Sequence, residues 1–153
     1  FLTQGHLLDD PSDPLTWYGK WAIEAGSKMS SVDYARALGE RDRMIRQFDD
    51  VFERFDILLS PSMAVTAFPV QQYPERINGQ TPYPSPAWGY LPFTHPINTI
   101  GNAAASIPCG FDSDGMPVGL HIVGRMGDEE TVIAASAAFE SARPWAEHRP
   151  AVS

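Results

Sequence analysis

Two apolar runs, Ala104 to Phe111 (AASIPCGF) and Met116 to Gly124 (MPVGLHIVG), are joined by Asp112-Ser113-Asp114-Gly115. An Asp-Gly pair between such runs is a strong hairpin signal, because a tight turn needs residues that tolerate positive φ. A chain that makes this pairing must build a sheet around antiparallel neighbours and find layers to cover its faces. Flanking segments supply those layers. Ser30, with Asp33 three residues later, resembles a capping box. Leu38, Ile45, Phe48, Val51, Phe52 and Phe55 then recur at helical spacing and predict a long amphipathic helix. Its other side carries Glu40, Arg41, Asp42, Arg43, Arg46, Asp49, Asp50, Glu53 and Arg54, which reads as a solvated face rather than a binding surface. Asp56 to Ser60 (DILLS), stopped by Pro61, reads as a buried strand that leaves the helix and ends at a sheet edge. Gly127 and Asp128 open a last helix with Glu129 and Glu130 in its first turn, where the helix dipole favours them. Val132, Ile133, Ala137 and Phe139 are its expected buried side, and Pro144 ends it.

Between Pro69 and Pro96 lie seven of the fourteen prolines, with Gly79 and Gly89, so no regular element of useful length is expected there. Irregular spans this long are usually functional or pack across another part of the protein. The opening residues are polar and broken by Pro11, Pro14, Gly19 and Gly26, with a short helical patch from Trp17 to Ala25. The expected organisation is an irregular lead-in over 1–29, then one domain over 30–150 holding a long helix, a strand, the proline-rich span, a β-hairpin and a final helix. Its class is α/β: part of a mixed β-sheet flanked by α-helices, with so few strands that much sheet edge is bare.

A chain of 153 residues with 43% apolar content suits a single domain with its own core. The formal net charge of -8 and the lack of a basic stripe argue against a nucleic-acid partner. A single cysteine, Cys109, cannot form an internal disulfide and points to a reducing compartment, so a cytoplasmic location is expected. No apolar run approaches the roughly 20 residues of a membrane helix, and no signal peptide opens the chain, so no membrane partner is expected. Self-association is left open. The first residue is Phe1 rather than Met, and the run to Lys20 reads as mid-chain sequence, so the expectation is a fragment of a longer polypeptide.

A serine nucleophile needs a base within reach and donors for the oxyanion, usually betrayed by a glycine-flanked serine on a sharp turn. No such elbow is present. The pair Ser30-Ser31 starts a helix and reads as a cap, and the lysines, Lys20 and Lys28, sit in the polar opening segment. His6, His95, His121 and His148 show neither i, i+4 spacing nor an HExxH pattern, so no metal site is expected. Gly110, Gly115, Gly119, Gly124 and Gly127 never form GxGxxG, so no phosphate cradle and no cofactor are expected. His121 lies inside an apolar strand and reads as a core or interface residue; His95, in the irregular span, is the better pocket candidate.

The run Asn98-Thr99-Ile100-Gly101-Asn102-Ala103-Ala104-Ala105-Ser106-Ile107-Pro108-Cys109-Gly110, followed by Gly115-Met116-Pro117-Val118-Gly119-Leu120, resembles the C-terminal block of the amidase-signature family. That block usually reads N-x-x-G-x-P-A-x-S-x-P-x-G and then G-x-P-x-G-L-Q. Phe55-Asp56-Ile57-Leu58-Leu59-Ser60-Pro61 resembles the family's aromatic-Asp-x-Leu-Leu-x-Pro strand, and Phe139-Glu140, Trp145 and Arg149-Pro150 resemble its closing helix and tail. The likeness covers Ser30 to Pro150. Ala103 stands where proline is common and His121 where glutamine is common. The resemblance implies a hydrolase of carboxylic amides whose Ser-Ser-Lys triad lies outside this chain, leaving no catalytic residue here and the isolated chain inactive. It implies as partners the N-terminal remainder of the same enzyme and a small-molecule amide, with Met63, Trp88, Leu91 and His95 facing the substrate and Asn98 fixing the loop. For Met63 and Leu91, plain packing stands as the alternative. Two other functions stand beside this one: a noncatalytic interaction domain, and part of the signature-bearing component of a tRNA-dependent amidotransferase.

Overall fold

The computed structural model describes residues 4–9, 15–70, 72–82 and 88–149. They form a short 3-10 turn (Gly5–Asp9), α1 (Trp17–Ser27), α2 (Ser31–Phe52), β1 (Leu58–Pro61), α3 (Thr94–Ile100), β2 (Ala104–Phe111), β3 (Pro117–Val123) and α4 (Glu129–Ala142). The chain divides into two compact units, Phe1–Arg43 and Met44–Ser153, and the division falls within α2.

In the first unit, Thr16 caps α1 by accepting from the Gly19 N–H at 3.3 Å, and Ile23 is the buried residue of that helix. The expected capping box of α2 is present with both of its bonds. Asp33 N–H donates to Ser30 Oγ at 3.1 Å, while Ser30 N–H donates back to Asp33 Oδ2 at 3.3 Å. Leu38, expected on the buried stripe, is 42% exposed.

In the second unit β3 lies between β1 and β2, and both pairings are antiparallel. Alternation along β3 sends successive side chains to opposite faces. On one face Val123 clusters with Phe52, Ile97 and Ile100, backed by Met44, Ile45, Phe48 and Leu58. On the other, Ile122 clusters with Ala103, Ile107 and Val132, backed by Leu120, Phe139 and Trp145. The sheet is thus covered by the end of α2 with α3 on one side and by α4 on the other. The α/β class is as expected, although the three strands here pair only antiparallel.

Four local expectations are corrected. The first strand starts at Leu58 rather than Asp56, extends through Pro61, and is half-buried, with Leu59 53% exposed; it lies at an edge of the sheet, where a proline costs no ladder bond. Phe55 falls beyond the end of α2 and is exposed beneath the Arg54 guanidinium, 5.3 Å from its ring centre. On α4, Ile133 and Ala137 face outward, because the stripe that meets the sheet runs through Val132, Ala135 and Phe139. In the proline-rich span α3 begins at Thr94 and takes Pro96 into its first turn, where a missing N–H is harmless. Gly101 then closes α3 in the left-handed region, at φ 87°.

Candidate loop site at the end of the sheet

After β1 the chain turns away from the sheet edge. Ala64 N–H donates to Tyr90 O at 3.1 Å, tying the loop that carries Met63 to the turn that carries Trp88 and Leu91. That turn is closed by Leu91 N–H donating to Trp88 O at 3.1 Å, and His95 N–H donates to Leu91 O at 3.2 Å. The result stacks the Trp88 and His95 rings, with centres 5.7 Å apart and planes 21° from parallel. Phe68 and Tyr73 pack beside them on Tyr90, at 5.1 and 6.3 Å. Trp88, Leu91 and His95 are therefore brought together, and Met63, 38% exposed, joins them through its neighbour Ala64. The surface so formed is aromatic and apolar, with His95 as the one titratable group among the four. Such a wall can hold an apolar or planar group by area and stacking; it carries no nucleophile.

The loop is tied at its far end as well. The Thr66 hydroxyl, with the Met116 and Asp114 N–H groups, holds the Asp112 carboxyl below the usual carboxylate range. Asn98 is exposed on α3, and a side-chain bond at this corner comes from Asn102, whose Nδ2 donates to Gly124 O at 2.8 Å.

Two serine contacts lie beneath this region. Ser60 Oγ is 3.3 Å from His121 Nδ1, and the hydroxyls of Ser62 and Ser106 are 2.6 Å apart. Among the described residues no carboxylate contacts His121, so the Ser60–His121 pair has there no third group to orient a catalytic base. Lys20 and Lys28 are exposed in the first unit, remote in sequence from either contact. Nothing in the residue pattern marks Ser62, whereas Ser106 is the serine of the quoted block; Gly119, a glycine inside an apolar strand, flags a close approach.

Burial depresses the His121 pKa below its ordinary 6.5. Folding therefore favours the neutral ring. Its contribution is complete above about pH 6.5 and is lost as pH falls through the depressed folded value. Urea midpoints taken between pH 7.5 and 5 are expected to fall more steeply for the natural protein than for His121→Gln, which keeps a partner for Ser60 without a titrating ring. Parallel curves would show that His121 does not contribute.

The amidase family model matches residues 10–133. The chain belongs to the amidase-signature family, as the strand and hairpin motifs imply. It is 35% identical over 132 residues to an acylamidase of Rhodococcus erythropolis, covering 86% of this chain and 27% of that protein. It is 38% identical over 134 residues to a glutamyl-tRNA(Gln) amidotransferase component of Chloroflexus aggregans, covering 86% and 25%. Among solved structures, a bacterial aryl acylamidase of the amidase-signature family superposes with a TM-score of 0.75 at 31% identity, over 89% of this chain and 29% of that one. The chain thus spans about a quarter of the length of the curated relatives it matches. At the two positions that depart from the family pattern, Ala103 uses an N–H that proline lacks, donating to Arg125 O at 3.4 Å, and His121 contacts Ser60.

Proposed function

We propose that this chain is the C-terminal part of an amidase that hydrolyses carboxylic amide C–N bonds through a Ser-Ser-Lys triad lying outside it. In this reading the lysine and a bridging serine activate a second serine, which attacks the amide carbonyl; the amine leaves, and water then hydrolyses the acyl-enzyme. This chain contributes strands of the sheet and one wall of the pocket, with Met63, Trp88, Leu91 and His95 toward the substrate. The observation that carries the reading is the Trp88–His95 stack on a hydrogen-bonded loop pair, an apolar wall without reactive groups, in a family member spanning about a quarter of its relatives. A planar, uncharged acyl or leaving group suits that wall, so aryl amides are the expected substrates.

Amide hydrolysis by residues 1–153 alone is expected to equal the buffer background, whereas the intact enzyme turns over and is stopped by a serine-directed fluorophosphonate. Sustained turnover by the isolated chain, blocked by the same reagent, refutes the assignment of the triad elsewhere. A second reading, part of the signature-bearing component of a tRNA-dependent amidotransferase, draws support from the 38% identity to the Chloroflexus aggregans protein. Release of ammonia from glutamine in preference to aryl amide cleavage identifies that case.

A further inference from the structure

Polar side chains gather on one face of an otherwise apolar sheet. Ser60 is opposite His121 across β1 and β3, and His121 is opposite Ser106 across β3 and β2. Alternate residues of a strand share a face, so Ser62, two residues beyond Ser60, joins the same row. The Ser62 and Ser106 hydroxyls meet at 2.6 Å although β3 runs between their strands. Gly119 permits this. A Cβ there would stand 2.7 Å from Ser62 Oγ and 2.8 Å from Ser106 Oγ, closer than side-chain atoms can approach. Ser62 is 5% exposed, so its hydroxyl has exchanged water for this partner, and its N–H donates to Gly119 O at 2.9 Å.

Three ties hold the loop that follows: Ser62 at its root, Ala64 N–H on Tyr90 O, and the Thr66 hydroxyl on Asp112. The Thr66 contact reaches a carboxylate at the exposed hairpin turn, where water competes. The Ser62 contact is shielded on the Ser62 side alone, since Ser106 is exposed, and a hydrogen bond is worth more where water is partly excluded. We propose that the Ser62–Ser106 hydroxyl pair, seated over Gly119, is a latch that positions the Met63 loop and, through Ala64, the Trp88–Leu91 turn. Ser62 and Ser106 are thereby positioning residues for substrate selectivity. This rests on the reading of those loops as the pocket wall, while the mechanical part of it stands without that reading.

Removing the Ser106 hydroxyl strands that of buried Ser62, which costs stability; removing both with apolar groups of similar shape is close to neutral. The informative variant is therefore Ser62→Ala/Ser106→Ala in the intact protein, with two readouts. In hydrogen exchange, peptides covering 62–66 and 88–91 are expected to exchange about tenfold faster, the effect of losing roughly one half-buried hydrogen bond, while peptides of β2 and β3 keep natural rates. In kinetics, KM for an aryl amide is expected to rise about tenfold with kcat within about twofold, and KM for a small aliphatic amide to change little. Unchanged loop exchange, or a uniform rise over both loops and strands, overturns the latch whether or not the protein is an amidase. Faster loop exchange with no change in the ratio of the two KM values keeps the latch and overturns its role in selectivity. Absence of amide turnover in the natural protein counts against the proposed function, and the exchange readout still decides the latch.

Discussion

Trp88→Ala in the intact enzyme is expected to lower kcat/KM for aryl amides by about ten- to hundredfold, almost wholly through KM. Each factor of ten corresponds to about 1.4 kcal/mol. A stacked indole can supply one to two such factors by area and by ring-on-ring geometry. The Trp88 ring is fixed at 21° to His95, so the platform is formed before substrate arrives and little ordering cost falls on binding. In the proposed reading the residue stands away from the reacting carbonyl, which makes its contribution equal in ground and transition states and leaves kcat nearly unchanged. Trp88→Phe should recover most of the loss, and a small aliphatic amide should lose less than about threefold. Equal losses for both substrates would mean that Trp88 supports the loop without touching the substrate.

The second large effect is on stability. Phe52→Ala is expected to destabilise the protein by about 3–5 kcal/mol, measured by urea unfolding, against a typical total of about 5–15 kcal/mol. Phe52 is 3% exposed and fills the space between Ile97, Ile100 and Val123, where the end of α2, α3 and β3 converge. A cavity there cannot close easily, because the Phe52 carbonyl is held by Arg125 Nη2 at 2.6 Å and keeps the backbone in place. Leu38→Ala, on the same helix but 42% exposed, should cost less than about 1 kcal/mol. A loss below about 1 kcal/mol at Phe52 would show that this side of the sheet closes without the ring.

Where local chemistry decides, the residues foretold the structure. Ser30 and Asp33 form their reciprocal cap, Asp112 to Gly115 turn the hairpin, and prolines keep most of the span to Thr94 irregular. Where a partner decides, they did not. The apolar pattern of α4 fits a stripe through Ile133 as well as one through Phe139, and the sheet selects the second. The half-burial of β1 follows from its edge position, which no run of five residues encodes. The same limit governs the candidate site. Trp88 and His95 are seven residues apart across a turn, so their stacking depends on backbone bonds at Leu91 and Tyr90 that composition does not announce. Ser62 and Ser106 meet only once both strands are registered against β3; a period of two gives the face of a residue and not its neighbour.

Arg125 gives the sheet a second consequence. Its guanidinium reaches the carbonyls of Phe52 and Phe55 and the carboxylate of Asp56, and pairs at 3.9 Å with Asp128, the residue that caps α4. One planar group thus pins the exit of α2, the approach to β1 and the start of α4, and none of the three can slide without tearing several bonds together. Lysine, a point charge on a flexible stem, cannot span them. At the other end of the sheet the loops are held by separate single contacts, at Ser62, Ala64 and Thr66, so shape change in this protein is channelled toward the aromatic wall and away from the Arg125 corner.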